Sequence, residues 1–179
     1  MHERGFCMSL STEPGRASSE FQENLEILME IPLLAGLSLE VFKVLAYLCR
    51  REIFRPGEVI FRQNEPDENA YFILSGTAVL LREDGEDHEV RKIHESEFLG
   101  GLSLLGDVKR LFTLRAETPV TCLMLSQERF RKTLERAPEM IGRLLENLVK
   151  GIQTWEEGFL NKHAMKCQDC LSGSGVSLV

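Results

Sequence analysis

Between Glu52 and Ser126 the chain reads as short strand-like runs broken by turn signals, and this constrains its fold more than any other feature. The runs are EIF, VIFRQ, AYFILSG, TAVLLRE, HEVRKI, LFTLRAE and VTCLMLS. Between them lie RPGE, NEPDEN, the pair Asp84-Gly85 and a glycine-rich apolar segment, FLGGLSLLG. β-Branched and aromatic residues bounded by Gly, Pro, Asn and Asp predict strands, because those turn residues tolerate backbone angles that a strand or helix interior does not. Asp84-Gly85 predicts a hairpin between its flanking runs. Many short strands at close spacing close most readily into a small antiparallel barrel or roll. The fold class expected is therefore mainly β with flanking helices.

The flanks carry a different period. Residues 1–20 are polar and aperiodic, which predicts a disordered N-terminal arm. From Asn24, Leu25, Leu28 and Met29 recur at helical spacing up to Pro32. A second helix is expected with Ser38 as its N-cap and Val41, Leu45 and Leu48 on one face. Helical spacing returns after Ser126 with Phe130 and Leu134, and Pro138 suits the first turn of a last long helix, where its missing N–H costs nothing. Along that helix Ile141, Leu145, Leu148, Ile152, Trp155 and Phe159 are spaced alternately four and three apart. This heptad seam predicts a homodimer interface, with Leu144 and Val149 widening the stripe toward the helix's own domain. The organisation expected is an arm at 1–20, a β-roll with flanking helices at 24–135, a dimerisation helix at 138–162 and a flexible tail at 163–179.

The chain has 179 residues, enough for one domain with extensions and a proper core. Its formal net charge of -7 opposes general binding to nucleic acid or an anionic membrane surface. No stretch approaches the roughly 20 apolar residues of a membrane span, and the N-terminus lacks the apolar core of a signal peptide. Of five cysteines, Cys49 and Cys122 lie in apolar runs and read as small buried hydrophobes. A reduced, cytoplasmic setting is expected.

Helices, a roll, a glycine-rich apolar segment, an arginine and a long C-terminal helix, in that order, resemble the cyclic-nucleotide-binding domain. That family includes catabolite activator proteins, kinase regulatory subunits and cyclic-nucleotide-gated channels. The resemblance spans roughly residues 30 to 155 and rests on IPLLAGLS, FRPGEVIFRQNEPDENAYFILSG and FLGGLSLLGDVKRLFTLRAET. It implies a β-roll of the double-stranded β-helix (jelly-roll) kind, with tight turns at Pro56-Gly57-Glu58 and Gly76. It also implies a phosphate-binding cassette resembling F-G-E-x-A-L, a loop, then R-[AST]-A. In that pattern the arginine neutralises the cyclic phosphate, the glutamate accepts from the ribose 2′-OH, and the small residues leave room for the ligand.

On this sequence the pattern falls on Phe98, Gly100, Gly101, Leu102, Ser103, Leu104, Leu105, Arg110, Leu111 and Phe112. Gly101 stands where the glutamate belongs, and bulky Leu111 and Phe112 stand where small residues are usual, so a partly filled cavity is expected. Glu97 lies on the far side of Phe98 and does not replace the glutamate. Asn64 and Asp67 replace turn glycines, and both residue types tolerate left-handed backbone geometry. Arg110 either meets an anion or pairs with a nearby carboxylate such as Asp107. Arg115 is read as structural.

Other chemistries have weaker support. His163, Cys167 and Cys170 form H-x3-C-x2-C, three potential zinc ligands without a local fourth. A cupin-like metal enzyme needs an H-x-H pair, whereas His88 and His94 are six residues apart. No catalytic set, Walker loop or dinucleotide fingerprint is visible. No metal or catalytic residue is therefore assigned, and the cofactor expected is either none or a cyclic nucleotide. About twenty residues follow Phe159, too few for a helix-turn-helix, so output is expected to pass through another signalling protein. Two readings follow: a protein-binding scaffold that has lost tight nucleotide binding, which is preferred, and a sensor that still holds a cyclic mono- or dinucleotide through Arg110.

Overall fold

The computed structural model describes residues 14–85 and 87–163. Helix α1 (Pro14–Glu30), a 3-10 turn (Pro32–Leu34) and α2 (Leu39–Leu48) precede the strands. Strands β1 (Arg50–Phe54), β2 (Val59–Phe61), β3 (Asn69–Ser75), β4 (Ala78–Glu83), β5 (Asp87–Ile93) and β6 (Phe98–Leu99) lead to a short helix, α3 (Gly101–Leu105). Strands β7 (Thr113–Ala116) and β8 (Val120–Ser126), helix α4 (Gln127–Glu135), a second 3-10 turn (Pro138–Met140) and α5 (Ile141–His163) complete the described residues. No helix among the described residues is long and apolar enough to cross a membrane.

The strands form two four-stranded antiparallel sheets, ordered β1-β8-β3-β6 and β2-β7-β4-β5. This is the expected mainly-β roll with flanking helices. Its centre explains why AYFILSG and VTCLMLS are apolar almost without interruption. Successive side chains on a strand point to opposite faces, and β3 and β8 are buried on both. Tyr71, Ile73, Val120 and Cys122 fill the roll's interior with Phe61, Ile93 and Leu114. Ala70, Phe72, Leu123 and Leu125 face the helical layer, against Leu28, Leu34, Leu45, Leu104, Phe130 and Leu144. Burial pushes the Cys122 thiol up to about 12, which keeps it an inert hydrophobe. Strand β5, at an edge, is exposed over all but Ile93 and carries Asp87, Glu89, Arg91 and Lys92, charges that protect that edge from pairing with other chains.

Several local expectations meet the structure directly. Ser38 caps α2, its hydroxyl accepting from the Val41 N–H at 3.4 Å. Asp84-Gly85 joins β4 to β5, with Glu83 opposite Asp87. The segment expected as an arm is helical from Pro14, however. Its polar composition hides a helix whose outer face is linked by Gln22 to Glu26 at 2.8 Å and Ser19 to Glu23 at 3.3 Å. Buried Asn24 fixes that helix to the body, donating to the Ala46 carbonyl and accepting from Arg51 at 2.9 Å. At the other end Pro138 opens a 3-10 turn rather than the long helix itself, which begins at Ile141.

Gly76 turns the chain from β3 into β4 with φ +91°, and a Cβ there would overlap the Pro119 carbonyl oxygen. Both the left-handed backbone and the close approach demand glycine. Gly76→Ala should cost at least about 2 kcal/mol, combining backbone strain with a clash that only backbone movement relieves. Urea unfolding of the two proteins measures the difference.

Candidate functional site

The cassette is held together by Arg110, although it lies on a loop. Its N–H donates to the Glu65 carbonyl at 3.1 Å, and its carbonyl accepts from the Asn64 N–H at 2.8 Å. These bonds join the 107–112 segment to the loop between β2 and β3, where Asn64 takes the left-handed conformation expected of it (φ +64°). Asp67 does not share that conformation. Its role is electrostatic.

The Arg110 guanidinium is 8% exposed and pairs with Asp67, not Asp107. Its Nε and Nη2 donate to Asp67 Oδ2 at 3.1 and 2.8 Å, and Nη2 also donates to the Asn69 carbonyl. Asp67 Oδ1 in turn accepts from the Asn69 N–H at 3.1 Å, Asn69 Nδ2 at 2.8 Å and the Tyr71 hydroxyl at 3.4 Å. The guanidinium lies 4.2 Å above the Phe61 ring, a cation–π contact that further offsets its desolvation. Burial first, then the Asp67 carboxylate, push the Tyr71 phenol well above its ordinary range, so it stays protonated as a donor. Gly100 caps α3 with φ +79°, and a Cβ there would stand 2.5 Å from Arg110 Nη1. Glycine is required because the arginine lies directly against the backbone.

A cavity of about 420 Å³ opens beside this arginine. Phe61, Leu80 and Leu99 line it together with seven of the ten residues on which the cassette pattern falls: Gly100, Gly101, Leu102, Ser103, Arg110, Leu111 and Phe112. The space is not filled as the bulk of Leu111 predicts. That side chain is 77% exposed, and Phe112 is half-buried at the wall. Ser103 is 1% exposed, and its Oγ has no hydrogen-bond partner among the described residues. Its carbonyl accepts from Gln127 Nε2 at 2.8 Å, which ties α3 to α4.

Gly101, the position where the cassette pattern has a glutamate, lies close against two neighbouring side chains. A Cβ there would lie 3.0 Å from both Leu33 Cδ2 and Phe98 Cε1. Glu97 is committed elsewhere: its Oε1 accepts from the His94 N–H and its carboxylate pairs with Arg91. Arg115 pairs with Asp87 at 3.3 Å across the sheet, as a structural residue would. Sequence reasoning missed both Asp67 as the partner of Arg110 and Leu33 as the residue covering Gly101. Of the potential zinc ligands, Cys167 and Cys170 lie outside the described residues.

The heptad residues lie along one face of α5. Ile141, Leu145, Ile152, Trp155 and Phe159 are exposed, Trp155 by 65%, and Leu148 is half-buried. Leu144 is buried in the helical layer, whereas Val149 is 55% exposed and does not reach it.

Residues 51–137 match the sequence profile of the cyclic nucleotide-binding domain. A cAMP-dependent protein kinase regulatory subunit from Blastocladiella emersonii is 30% identical over 73% of this chain and 31% of its own length. Among solved structures, the N-terminal domain of a Streptomyces coelicolor transcriptional regulator aligns with a TM-score of 0.65 at 25% identity. That alignment covers 74% of this chain and 93% of that one. The regulatory subunit of a cAMP-independent protein kinase A from Trypanosoma brucei aligns with a TM-score of 0.56 at 27% identity, over 72% of this chain and 48% of its own. The chain spans less than half the length of the curated relatives it matches.

Removing one member of a buried ion pair strands the other, which costs about 3–5 kcal/mol. Arg110→Ala should therefore destabilise by that order, and Asp67→Asn combined with Arg110→Met should recover part of it. A double-mutant cycle in chemical denaturant tests both.

Proposed function

Residues 51–137 belong to the cyclic nucleotide-binding domain family, and on that premise we propose that the chain is a non-enzymatic regulatory module. It acts through contacts with other proteins, and its cyclic-nucleotide binding is weakened or lost. The observation that carries this reading is the packing at Gly101, where Leu33 and Phe98 approach the place of the family's ribose-binding glutamate. A hydrogen bond to a charged acceptor contributes roughly 1.5–3 kcal/mol, so its loss weakens a nucleotide about tenfold to a hundredfold. The Trypanosoma relative is the regulatory subunit of a kinase described as cAMP-independent, and regulation without cyclic AMP is proposed here too.

The second reading, a cyclic-nucleotide sensor, is favoured by the open cavity beside Arg110 and by the outward course of Leu111. Calorimetric titration with cyclic AMP, cyclic GMP and a cyclic dinucleotide decides between the two. A Kd no tighter than about 10–100 micromolar is expected, because the lost acceptor alone moves a micromolar site into that range. A Kd of about one micromolar or below for any of them establishes the sensor instead.

The exposed face of α5 is proposed as a homodimer interface, separate from the surface of the roll that would engage a signalling partner. Trp155 and Phe159 stack there with ring centroids 5.6 Å apart, and aromatic anchors of this kind dominate binding energy at interfaces. Sedimentation equilibrium should give about twice the 20.3 kDa chain mass. Leu148→Glu and Trp155→Ala should each shift that mass toward the monomer, and a monomeric wild type rules the interface out.

A further inference from the structure

We propose that the groove between α2 and α4 docks an acidic, amphipathic helix of a partner protein. Its carboxylates meet Lys43, Lys132 and Arg136, and its apolar side meets Val44 and Tyr47. The proposal rests on the protein-contact half of the regulatory reading and gives that contact a surface, on the helices that cover the roll.

The groove is built from two matched stripes. Glu40, Lys43, Val44 and Tyr47 of α2 face Arg129, Lys132, Thr133 and Arg136 of α4 across a cleft of about 480 Å³. Both sets follow the i, i+3, i+4, i+7 spacing, so each helix turns one face to the cleft. Arg129 Nη1 donates to the Leu48 carbonyl at 2.6 Å, which ties α4 to the C-terminal end of α2. A cleft between two helices that are already held together suits a third helix laid along it.

Charge sets the sign of the partner. Lys43, Arg129, Lys132 and Arg136 line the groove against a single carboxylate, Glu40, on a chain whose net charge is -7. Lys43 pairs with Glu40 at 3.2 Å and Lys132 with Glu128 at 2.6 Å, and all four side chains are exposed. Exposed pairs of this kind contribute little, so a ligand carboxylate can take over either lysine. The exposed Arg136 side chain forms no ion pair among the described residues. A cationic patch on an otherwise acidic molecule steers acidic partners to that one place.

The apolar part calls for a protein rather than a free polyanion. Tyr47 is 82% exposed and Val44 42%, although α2 already has a full buried face in Val41, Phe42, Leu45 and Ala46. Tyrosine and arginine are among the residue types that carry binding energy at protein interfaces. A nucleic-acid backbone would leave Val44 and Tyr47 in water, and the net charge of the chain opposes its approach.

The test is fluorescence anisotropy of labelled peptides of about four helical turns, titrated with the full chain. One carries leucine at i, i+3, i+4 and i+7 with glutamate elsewhere; in two others glutamine or lysine replaces every glutamate. The glutamate peptide should bind at least about tenfold more tightly than the glutamine peptide, an advantage that shrinks as salt is raised. Tyr47→Ala should weaken it at least about fivefold. The double change Lys43→Glu with Arg136→Glu should reverse the preference, so that the lysine peptide binds better than the glutamate peptide, with the melting temperature unchanged. The proposal is overturned if the glutamine peptide binds as tightly as the glutamate peptide, if neither saturates, or if the double change keeps the wild-type preference. It is overturned in favour of a membrane if vesicles of phosphatidylcholine and phosphatidylserine bind more tightly than the glutamate peptide. It is overturned in favour of a second copy if the double change lowers the sedimentation mass. Failure of the peptides leaves the regulatory reading to another surface, whereas a Kd of about one micromolar for cyclic AMP overturns the nucleotide-independent part of that reading whatever the peptides do.

Discussion

A buried guanidinium fixes the geometry of the cassette. Taking Arg110 and Asp67 out of water costs several kcal/mol per ion, and a lone pair of charges seldom recovers that in full. Here the remaining bonding capacity is met around them. Asn69 serves the arginine through its carbonyl and the aspartate through its N–H and side-chain amide. Tyr71 donates to the aspartate, and the Phe61 ring lies against the cation. Two consequences follow for the site. The loops at 64–69 and 107–112 are drawn together, and Gly100 must remain glycine to admit the arginine. The cavity then has a cation whose position is set by the fold rather than by a ligand, the arrangement that lowers the ordering cost of binding.

What could be read in the sequence depended on distance along the chain. Period-two patterning and turn chemistry are local, so the roll, the Asp84-Gly85 hairpin and the Ser38 cap were legible. Arg110 could be placed by its position in the cassette, but its partner could not. Asp107 is three residues away and looked the natural choice, whereas Asp67 is brought in by the pairing of two loops. Leu33 presents the same problem at Gly101: the sequence shows a missing glutamate but gives no sign of what packs there. The size of Leu111 suggested a filled cavity because composition records bulk and not direction. In α1, Ser19, Gln22, Glu23 and Glu26 are exposed on a helix whose other side is anchored by Asn24, Leu25 and Leu28, so composition alone resembles disorder.

The same turn that carries Leu33 also seats the last helix. Asn147 donates to the Leu33 and Ala35 carbonyls at 3.1 and 2.8 Å, and Leu144 enters the helical layer. Arg143 packs over Gly36, where an added Cβ would come within 3.2 Å of it. One side of this turn therefore meets the cassette at Gly101 and the other holds α5. A side chain introduced at Gly101 would require the Leu33 and Phe98 side chains to give by a few tenths of an ångström, and the Leu33 carbonyl on that turn accepts from Asn147.

Beyond Asn147 the helix is largely exposed among the described residues. From Val149 to Leu160 every residue is exposed except Glu156, including Ile152, Trp155 and Phe159 on one face. A free helical segment of about twelve residues is marginal in water, and Gly151 and Gly158 lower its propensity further. Burying its apolar face would contribute roughly 25 cal/mol per Å², enough to turn a marginal segment into an ordered one. Leu144 commits one face of α5 to the domain, and the heptad face is exposed among the described residues except at half-buried Leu148. The physical case for a partner on α5 therefore rests on the helix's own stability, independently of whether the cavity holds a ligand.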